Sequence, residues 1–121
     1  MHIEEFREYC LSKKGATEGF PFGETVLVFK VMGKMFALTA LDRLPAQANL
    51  KAHPERIPEL RETYDGRIVP GFHMNKSHWN TVLIEQVPPR LVRELIDHSF
   101  ELIVASLPKK KREEWQALED G

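Results

Sequence analysis

The chain has 121 residues, of which 42% are hydrophobic and 29% are charged, the composition of a globular protein with a single domain. Its formal net charge of −1 argues against a general polyanion-binding domain, because such domains are usually strongly basic. A local basic patch stays open, because the overall balance hides how the charges are distributed. Cys10 is the one cysteine, which excludes a disulfide framework and a cysteine-based zinc site.

The first element in chain order is a helix over residues 2–13. Apolar side chains recur there at helical spacing on one stripe: Ile3, Phe6, Cys10 and Leu11. The following stretch, "GATEGFPFGE", holds three glycines and a proline, which predicts a loop. We expect Phe20 and Phe22 to be its apolar anchors.

Three strands are predicted next. "TVLVFKV" and "KMFALTAL" are rich in β-branched and aromatic residues, and the "MG" between them indicates a hairpin turn. "QANLKA" predicts a third, short strand. This hairpin is the clearest local signal in the sequence.

The second half predicts a helix, two strands and two more helices. "HPERIPELRETY" returns to helical spacing, and "RIVPGFHM" and "HWNTVLIE" are typical of strands. A long amphipathic helix follows over residues 89–107, and Pro108 starts a last short one. We expect the long helix to bury four apolar side chains: Leu95, Ile96, Leu102 and Ile103.

The element order α-β(3)-α-β(2)-α-α predicts an α+β fold over residues 1–121 with no domain boundary. Hairpin connections favour a mainly antiparallel sheet of five strands with helices packed on one side. The N-terminus lacks the apolar core of a signal peptide, and no apolar run is long enough to cross a bilayer. We therefore expect a cytoplasmic protein without membrane contact.

A polar cluster, "HMNKSHWNTV", occupies residues 73–82. It combines hydrogen-bond donors, a cation and a stacking surface, a mixture that suits nucleic-acid contact. Its candidate contact residues are His73, Asn75, Lys76, His78 and Trp79. The structural alternative is that Asn75 caps a turn, Lys76 is solvated and Trp79 closes the edge of the core.

Metal binding and catalysis find little support in the same cluster. His73 and His78 are five residues apart, which places them on opposite faces of a strand, and no nearby carboxylate completes a ligand set before Glu85. Ser77 and His78 point apart on a strand, and no glycine-rich phosphate loop exists. We expect a protein without metal, cofactor or enzymatic activity, although a histidine general base needs no local signature.

One dense basic run, "KKKR", starts the last helix: Lys109, Lys110, Lys111 and Arg112. A run of this kind is usually a solvated face, and it also follows the C-terminal end of the long helix, where cations are favourable. Contact with a polyanion is the functional alternative.

The chain as a whole resembles the MmcQ/YjbR family of small bacterial proteins. The resemblance rests on "CLSKKGATEGFPFGETVLVFKVMGKMFAL", on "NLK", on "PGFHMNKSHWNTV" and on "LIDHSFELIVASLPKKKR". It implies an α+β fold with a secretion-chaperone-like arrangement and DNA binding of "double wing" type. It implies no catalytic residue and no cofactor.

Our leading hypothesis is a non-enzymatic protein that binds DNA weakly and without sequence specificity, because few cations are available. Lys76, His78 and Trp79 would contact the DNA, helped by Lys51, Arg67 and the basic run. The predicted hairpin would act as a wing, with Lys30 and Lys34 near phosphates. A protein-interaction or chaperone-like module is the alternative, and a small-ligand pocket around His73 and His78 is a third possibility.

Overall fold

A computed structural model describes residues 1–71 and 74–119. Within them the chain forms four helices: α1 (Ile3–Leu11), α2 (Ile57–Thr63), α3 (Pro89–Ala105) and α4 (Lys109–Gln116). The same residues form six strands: β1 (Ala16–Gly19), β2 (Val26–Val31), β3 (Lys34–Ala40), β4 (Ala48–Lys51), β5 (Ile68–Pro70) and β6 (Trp79–Val82). The predicted α+β class is confirmed.

The sheet is antiparallel throughout, in the order β1-β2-β3-β4-β6-β5. The prediction of five strands was wrong by one, because β1 lies in the stretch that we had assigned to a loop. Along its whole length β1 pairs with β2, from Ala16 opposite Val31 to Gly19 opposite Val28. Pairing with an existing strand edge satisfies the backbone of this short segment, and it outweighs the segment's poor intrinsic strand propensity.

The β2–β3 hairpin is confirmed, and its turn is Met32–Gly33. Both residues have positive φ, 49° and 83°, as a two-residue type I′ turn requires. We call the end of the sheet that carries this turn the hairpin end. Because β4 runs antiparallel to β3 and β6 antiparallel to β4, Lys51 and Trp79 also lie towards the hairpin end.

One face of the sheet carries the core. Alternation along β2 points Leu27, Phe29 and Val31 towards the helices, and all three are buried. A chain of ring contacts crosses this core through Phe6, Phe29, Phe36, Phe100 and Trp115, with centroid distances of 5.9, 6.4, 5.2 and 6.1 Å. These contacts join α1, the sheet, α3 and α4 into a single hydrophobic core.

The long helix packs as expected, with one exception. Leu95, Ile96 and Ile103 are buried against the sheet, whereas Leu102 is only half-buried. Tyr9 of α1 donates a hydrogen bond of 2.7 Å to Asp97, and the Lys13 ammonium contacts the same carboxylate. Burial, together with the bond to Asp97, raises the pKa of Tyr9 to about 12, so the phenol stays neutral and keeps α1 attached to α3.

A bulge in β3 determines how α3 meets the sheet. Phe29 pairs with Ala37 but Lys30 pairs with Met35, so Phe36 is an extra residue, and Phe36 and Ala37 are both fully buried. The buried Ser99 hydroxyl of α3 donates to the Phe36 carbonyl at 2.6 Å and accepts from the Lys51 amide at 2.9 Å. Ser99 therefore bridges β3 and β4 where their direct pairing stops.

Replacement of Ser99 by Ala should destabilise the fold strongly for so small a change. It leaves the Phe36 carbonyl and the Lys51 amide without their partner in a buried place, which costs about 1–3 kcal/mol per group. Urea unfolding of Ser99→Ala should show this loss. Ser106→Ala, which removes an exposed hydroxyl from the end of the same helix, should stay within about 0.5 kcal/mol of the parent. Equal losses in the two variants would contradict the bridging role of Ser99.

Cys10 should be chemically inert in the native protein. Its side chain is fully buried in the core, and this burial raises the pKa of the thiol far above its ordinary value. A disulfide reagent such as DTNB should label no thiol in native protein and one thiol per chain in denaturant. Rapid labelling under native conditions would show that the α1 stripe opens to solvent.

Candidate functional site on the open face of the sheet

The face of the sheet opposite the helices carries no helix within residues 1–71 and 74–119, and we call it the open face. Strand alternation and register place ten side chains of β2, β3, β4 and β6 on it: Val26, Val28, Lys30, Met35, Leu38, Ala40, Asn49, Lys51, Trp79 and Thr81. Most of these side chains are apolar or amidic, and the two charged ones are both lysines. Such a surface can bind a ligand that is partly apolar and partly anionic.

A groove of about 480 Å³ lies in the middle of the open face. Its walls are mainly apolar, from β2, β3 and two flanking loops: Phe22, Val26, Met35, Leu38, Ala40 and Met74. Thr25, Gln47 and Asn49 add polar groups, and Asp42 and Arg43 lie at the end away from the hairpin. Its volume is within the usual range for pockets that hold small organic groups.

A buried polar pair lies beneath this groove. Asn49 and Thr81 face each other in register on β4 and β6, and Thr81 Oγ1 donates a 2.5 Å hydrogen bond to Asn49 Oδ1. Their exposed fractions are 6% and 1%. Polar side chains buried on a face without a helix layer give the groove a rigid hydrogen-bonding floor.

The residues of the polar cluster mainly form and stabilise a turn. The Asn75 side chain accepts a hydrogen bond of 2.9 Å from the Ser77 amide, and the Asn75 carbonyl accepts from the amides of His78 and Trp79. From α2, Arg61 donates to the Lys76 carbonyl at 2.6 Å and to Asn80 Oδ1 at 2.9 Å. This confirms the predicted turn at Asn75 and leaves the side chain of Lys76 exposed.

The Trp79 side chain is buried rather than exposed to solvent. Only 9% of its surface is exposed, and Gly71 approaches so closely that a Cβ on Gly71 would lie 3.0 Å from Trp79 Cβ. The Gly71 amide also donates to the Trp79 carbonyl at 3.0 Å. The burial of Trp79 that the structural alternative implied is therefore confirmed, although its side chain lies on the open face and outside the core cluster.

The structure brings several of the predicted cations together at the hairpin end. Lys30 and Lys51 lie on the open face, and the Ala52 amide donates to the His78 carbonyl, which brings Lys51 next to the Lys76 turn. His78 itself is half-buried. His73 lies outside the described residues.

The basic run and Lys34 reach the hairpin end from the helix side. Lys34 Nζ donates to Ser106 Oγ at 3.0 Å, and Lys111 Nζ lies 3.4 Å from the Met32 carbonyl. Arg112 contacts the Ala105 carbonyl at 3.4 Å, which satisfies the last turn of α3. Lys109 and Lys110, in the same turn, are exposed.

Arg67 lies away from this group. It precedes Ile68, which pairs with Val82 at the opposite end of β6 from Trp79. Its guanidinium contacts the Gln86 carbonyl at 3.4 Å and the Tyr64 ring at 5.7 Å. The geometry gives no support for the predicted helping role of Arg67.

The charges of the chain are segregated. None of the strands β2 to β6 contains Asp or Glu, although the chain has 18 acidic residues against 17 Lys and Arg. The acids lie in the helices, in β1 and in the connecting loops; Glu18 of β1 is bound to Arg7 of α1. A nearly neutral protein thus carries a sheet face whose strand charges are all positive.

The groove is not predicted from the sequence, and the loop that borders it differs from the expectation. Phe20 and Phe22, expected as apolar anchors of this loop, are 50% and 67% exposed. Met35 and Met74 belong to segments that the sequence predicts only as extended, although both residues line the groove. The available signal was the "FPF" itself, two aromatic side chains in a short loop with too few neighbours to bury both.

Comparison with known proteins places this architecture in a family. The YjbR family model matches residues 11–102. The chain belongs to the YjbR family. It is 32% identical over 114 residues to the uncharacterised protein YjbR of Escherichia coli K12, covering 93% of this chain and 95% of that one. It is 39% identical over 92 residues to YbdF of E. coli O157:H7, covering 75% of each.

Two crystal structures have the same fold. The Deinococcus radiodurans protein DR2400 superposes with a TM-score of 0.88 at 38% identity, covering 98% of this chain and 90% of that one. A Pseudomonas syringae protein superposes with a TM-score of 0.72 at 27% identity, covering 84% of this chain and 98% of that one. The resemblance predicted from the sequence motifs is confirmed, and with it the family fold.

Two absences among the described residues bear on the site. In the part of the chain that the structure describes, no three His, Cys, Asp or Glu side chains are grouped closely enough to hold a metal ion. Over the same residues, no helix has both the length and the apolar character needed to span a membrane.

Proposed function

We propose that this YjbR-family protein binds DNA without catalysing a reaction on it, through the lysines at the hairpin end of the open face. The observation that supports this most directly is the charge segregation: β2 to β6 carry no acid. Phosphates that approach these strands meet Lys30 and Lys51 and encounter no strand carboxylate. On this proposal the protein acts in the cytoplasm, as expected from its sequence.

The arrangement of the cations supports contact with a backbone rather than with a single ion. Lys51 precedes Ala52, whose amide donates to the His78 carbonyl of the turn that carries the exposed Lys76, and Lys30 lies two strands away from Lys51 on the same face. Lys34 and Lys111 extend the positive region around the Met32–Gly33 turn. The hairpin end therefore offers charges on both sides of the sheet, as a wing that contacts a phosphate backbone would.

Binding should be weak and insensitive to sequence. About 3–4 phosphate contacts are available, and counterion release then gives a slope of log affinity against log salt of roughly −3 for duplex DNA. Among the described residues the open face carries no helix that could serve as a recognition helix, and the proposal includes no base-specific readout in the major groove.

A protein-interaction module is the second candidate, and a specific observation favours it. Four large apolar side chains in the two loops beside the groove are exposed, by 50, 67, 47 and 91%: Phe20, Phe22, Leu41 and Leu44. Exposed apolar groups that gather on one region of a surface often mark a protein contact. On this hypothesis the open face would bind an apolar segment of a partner, as a chaperone does.

Removal of one lysine should change the salt dependence of DNA binding. In fluorescence anisotropy with a short labelled duplex, Lys51→Ala and Lys76→Ala should each weaken binding and reduce the magnitude of the salt slope by about one. The matched control is Arg90→Ala, which removes an exposed cation from α3 on the opposite side of the molecule. It should leave the slope unchanged. Absence of binding to any DNA at low salt would favour the protein-interaction hypothesis instead.

A further inference from the structure

We infer that the groove receives one unpaired base, so that this protein prefers single-stranded DNA to duplex. This inference rests on the proposed DNA binding and adds to it the form of the nucleic acid. It joins two features that lysine contacts alone leave unexplained: the apolar groove and the exposed phenylalanine at its edge.

The groove offers side chains on which a base can stack. Phe22 lines the groove and is 67% exposed, so most of its surface is accessible to a ligand. The thioethers of Met35 and Met74 line the same groove, and such polarisable side chains adapt well to a flat aromatic ring. A base would have an aromatic surface and two soft walls to contact.

The groove is apolar but also has hydrogen-bonding groups. Asn49 and Gln47 both line it, and their amides can bond the edge of a base. The Asn49 side chain is held by Thr81 on the next strand, so its orientation is set before a ligand arrives. A purely apolar peptide side chain would form no hydrogen bond with either amide.

The hairpin end of the groove is positively charged and complements the phosphate of a nucleotide. Lys51 is two residues from Asn49 on the same strand face, about 7 Å along the strand, and Lys30 is the direct register partner of Met35. Both lysines therefore flank the hairpin end of the groove, while Asp42 and Arg43 lie at the other end. A nucleotide fits this polarity, with its base in the groove and its phosphate at the lysines.

Duplex DNA cannot use the groove in the same way. Each base of a duplex is stacked on both sides and paired at its edge, so it enters a pocket only if it is flipped out at a cost. Single-stranded DNA presents its bases already free. The phosphate contacts are common to both forms, and the groove supplies the difference between them.

The test compares three oligonucleotides of equal length with the full chain: dT12, a 12-base-pair duplex, and a 12-unit single strand in which every base is replaced by an abasic site. At equal salt we expect dT12 to bind more tightly than either of the other two. In protein with ¹³C-labelled methionine methyl groups, the signals of Met35 and Met74 should shift with dT12 and not with the abasic strand.

Substitutions in the loop beside the groove separate the contribution of stacking to affinity from the contribution of charge. Phe22→Ala should lower affinity for dT12 about ten-fold, a typical loss for one stacked base, and leave the affinity for duplex unchanged. Because Phe22 is exposed, its loss should not unfold the protein. Phe20→Ala, in the same loop but outside the groove, is the matched control and should retain the preference for dT12.

Each contrary result has a distinct meaning. Equal, salt-dependent binding of all three oligonucleotides would leave the proposed DNA binding intact and overturn the inference about the groove. Retention of the dT12 preference in Phe22→Ala, or unshifted methyl signals, would overturn it as well and leave the groove to another kind of ligand. Failure of every oligonucleotide to bind at low salt would overturn both proposals.

Discussion

The Ser99 hydroxyl is the contact on which the arrangement of sheet and helix depends. The bulge at Phe36 turns two consecutive side chains into the core and interrupts the ladder between β3 and β4. Ser99 restores both missing hydrogen bonds from α3. The same contact therefore holds two strands together and positions the long helix on one face of the sheet, which leaves the other face without a helical layer.

The open face combines several features that are uncommon on a protein surface that binds nothing. It carries a groove with apolar walls, a buried Asn49–Thr81 pair and two lysines without a strand acid. Burial of polar side chains costs free energy unless their hydrogen bonds are satisfied, and large exposed aromatic side chains gain little from folding. The open face is therefore a better candidate for a binding surface than the helical side, whose charges of both signs are interspersed.

The polar cluster at residues 73–82 has mainly a structural role. Asn75 and Arg61 hydrogen-bond the turn from opposite sides, and Gly71 closes over Trp79. This scaffold places the turn that carries Lys76 next to the end of β4 and places Met74 at the groove, so the function that we propose uses only the exposed residues of the turn. Of the many polar side chains in this cluster, the proposed binding site therefore uses only the Lys76 ammonium and the Met74 thioether.

Local patterns in the sequence by themselves determined the helices, the β2–β3 hairpin and the burial of Leu95 and Cys10, because apolar periodicity and turn residues report on the immediate neighbourhood of a residue. Family motifs determined the fold, as the YjbR match bears out. Only the tertiary structure decided that β1 is a strand, that Trp79 is buried and that Phe22 is exposed. The reason is physical: each of these outcomes depends on a partner distant in sequence or on the absence of one, such as the free edge of β2, the close approach of Gly71, and a sheet face that no helix covers.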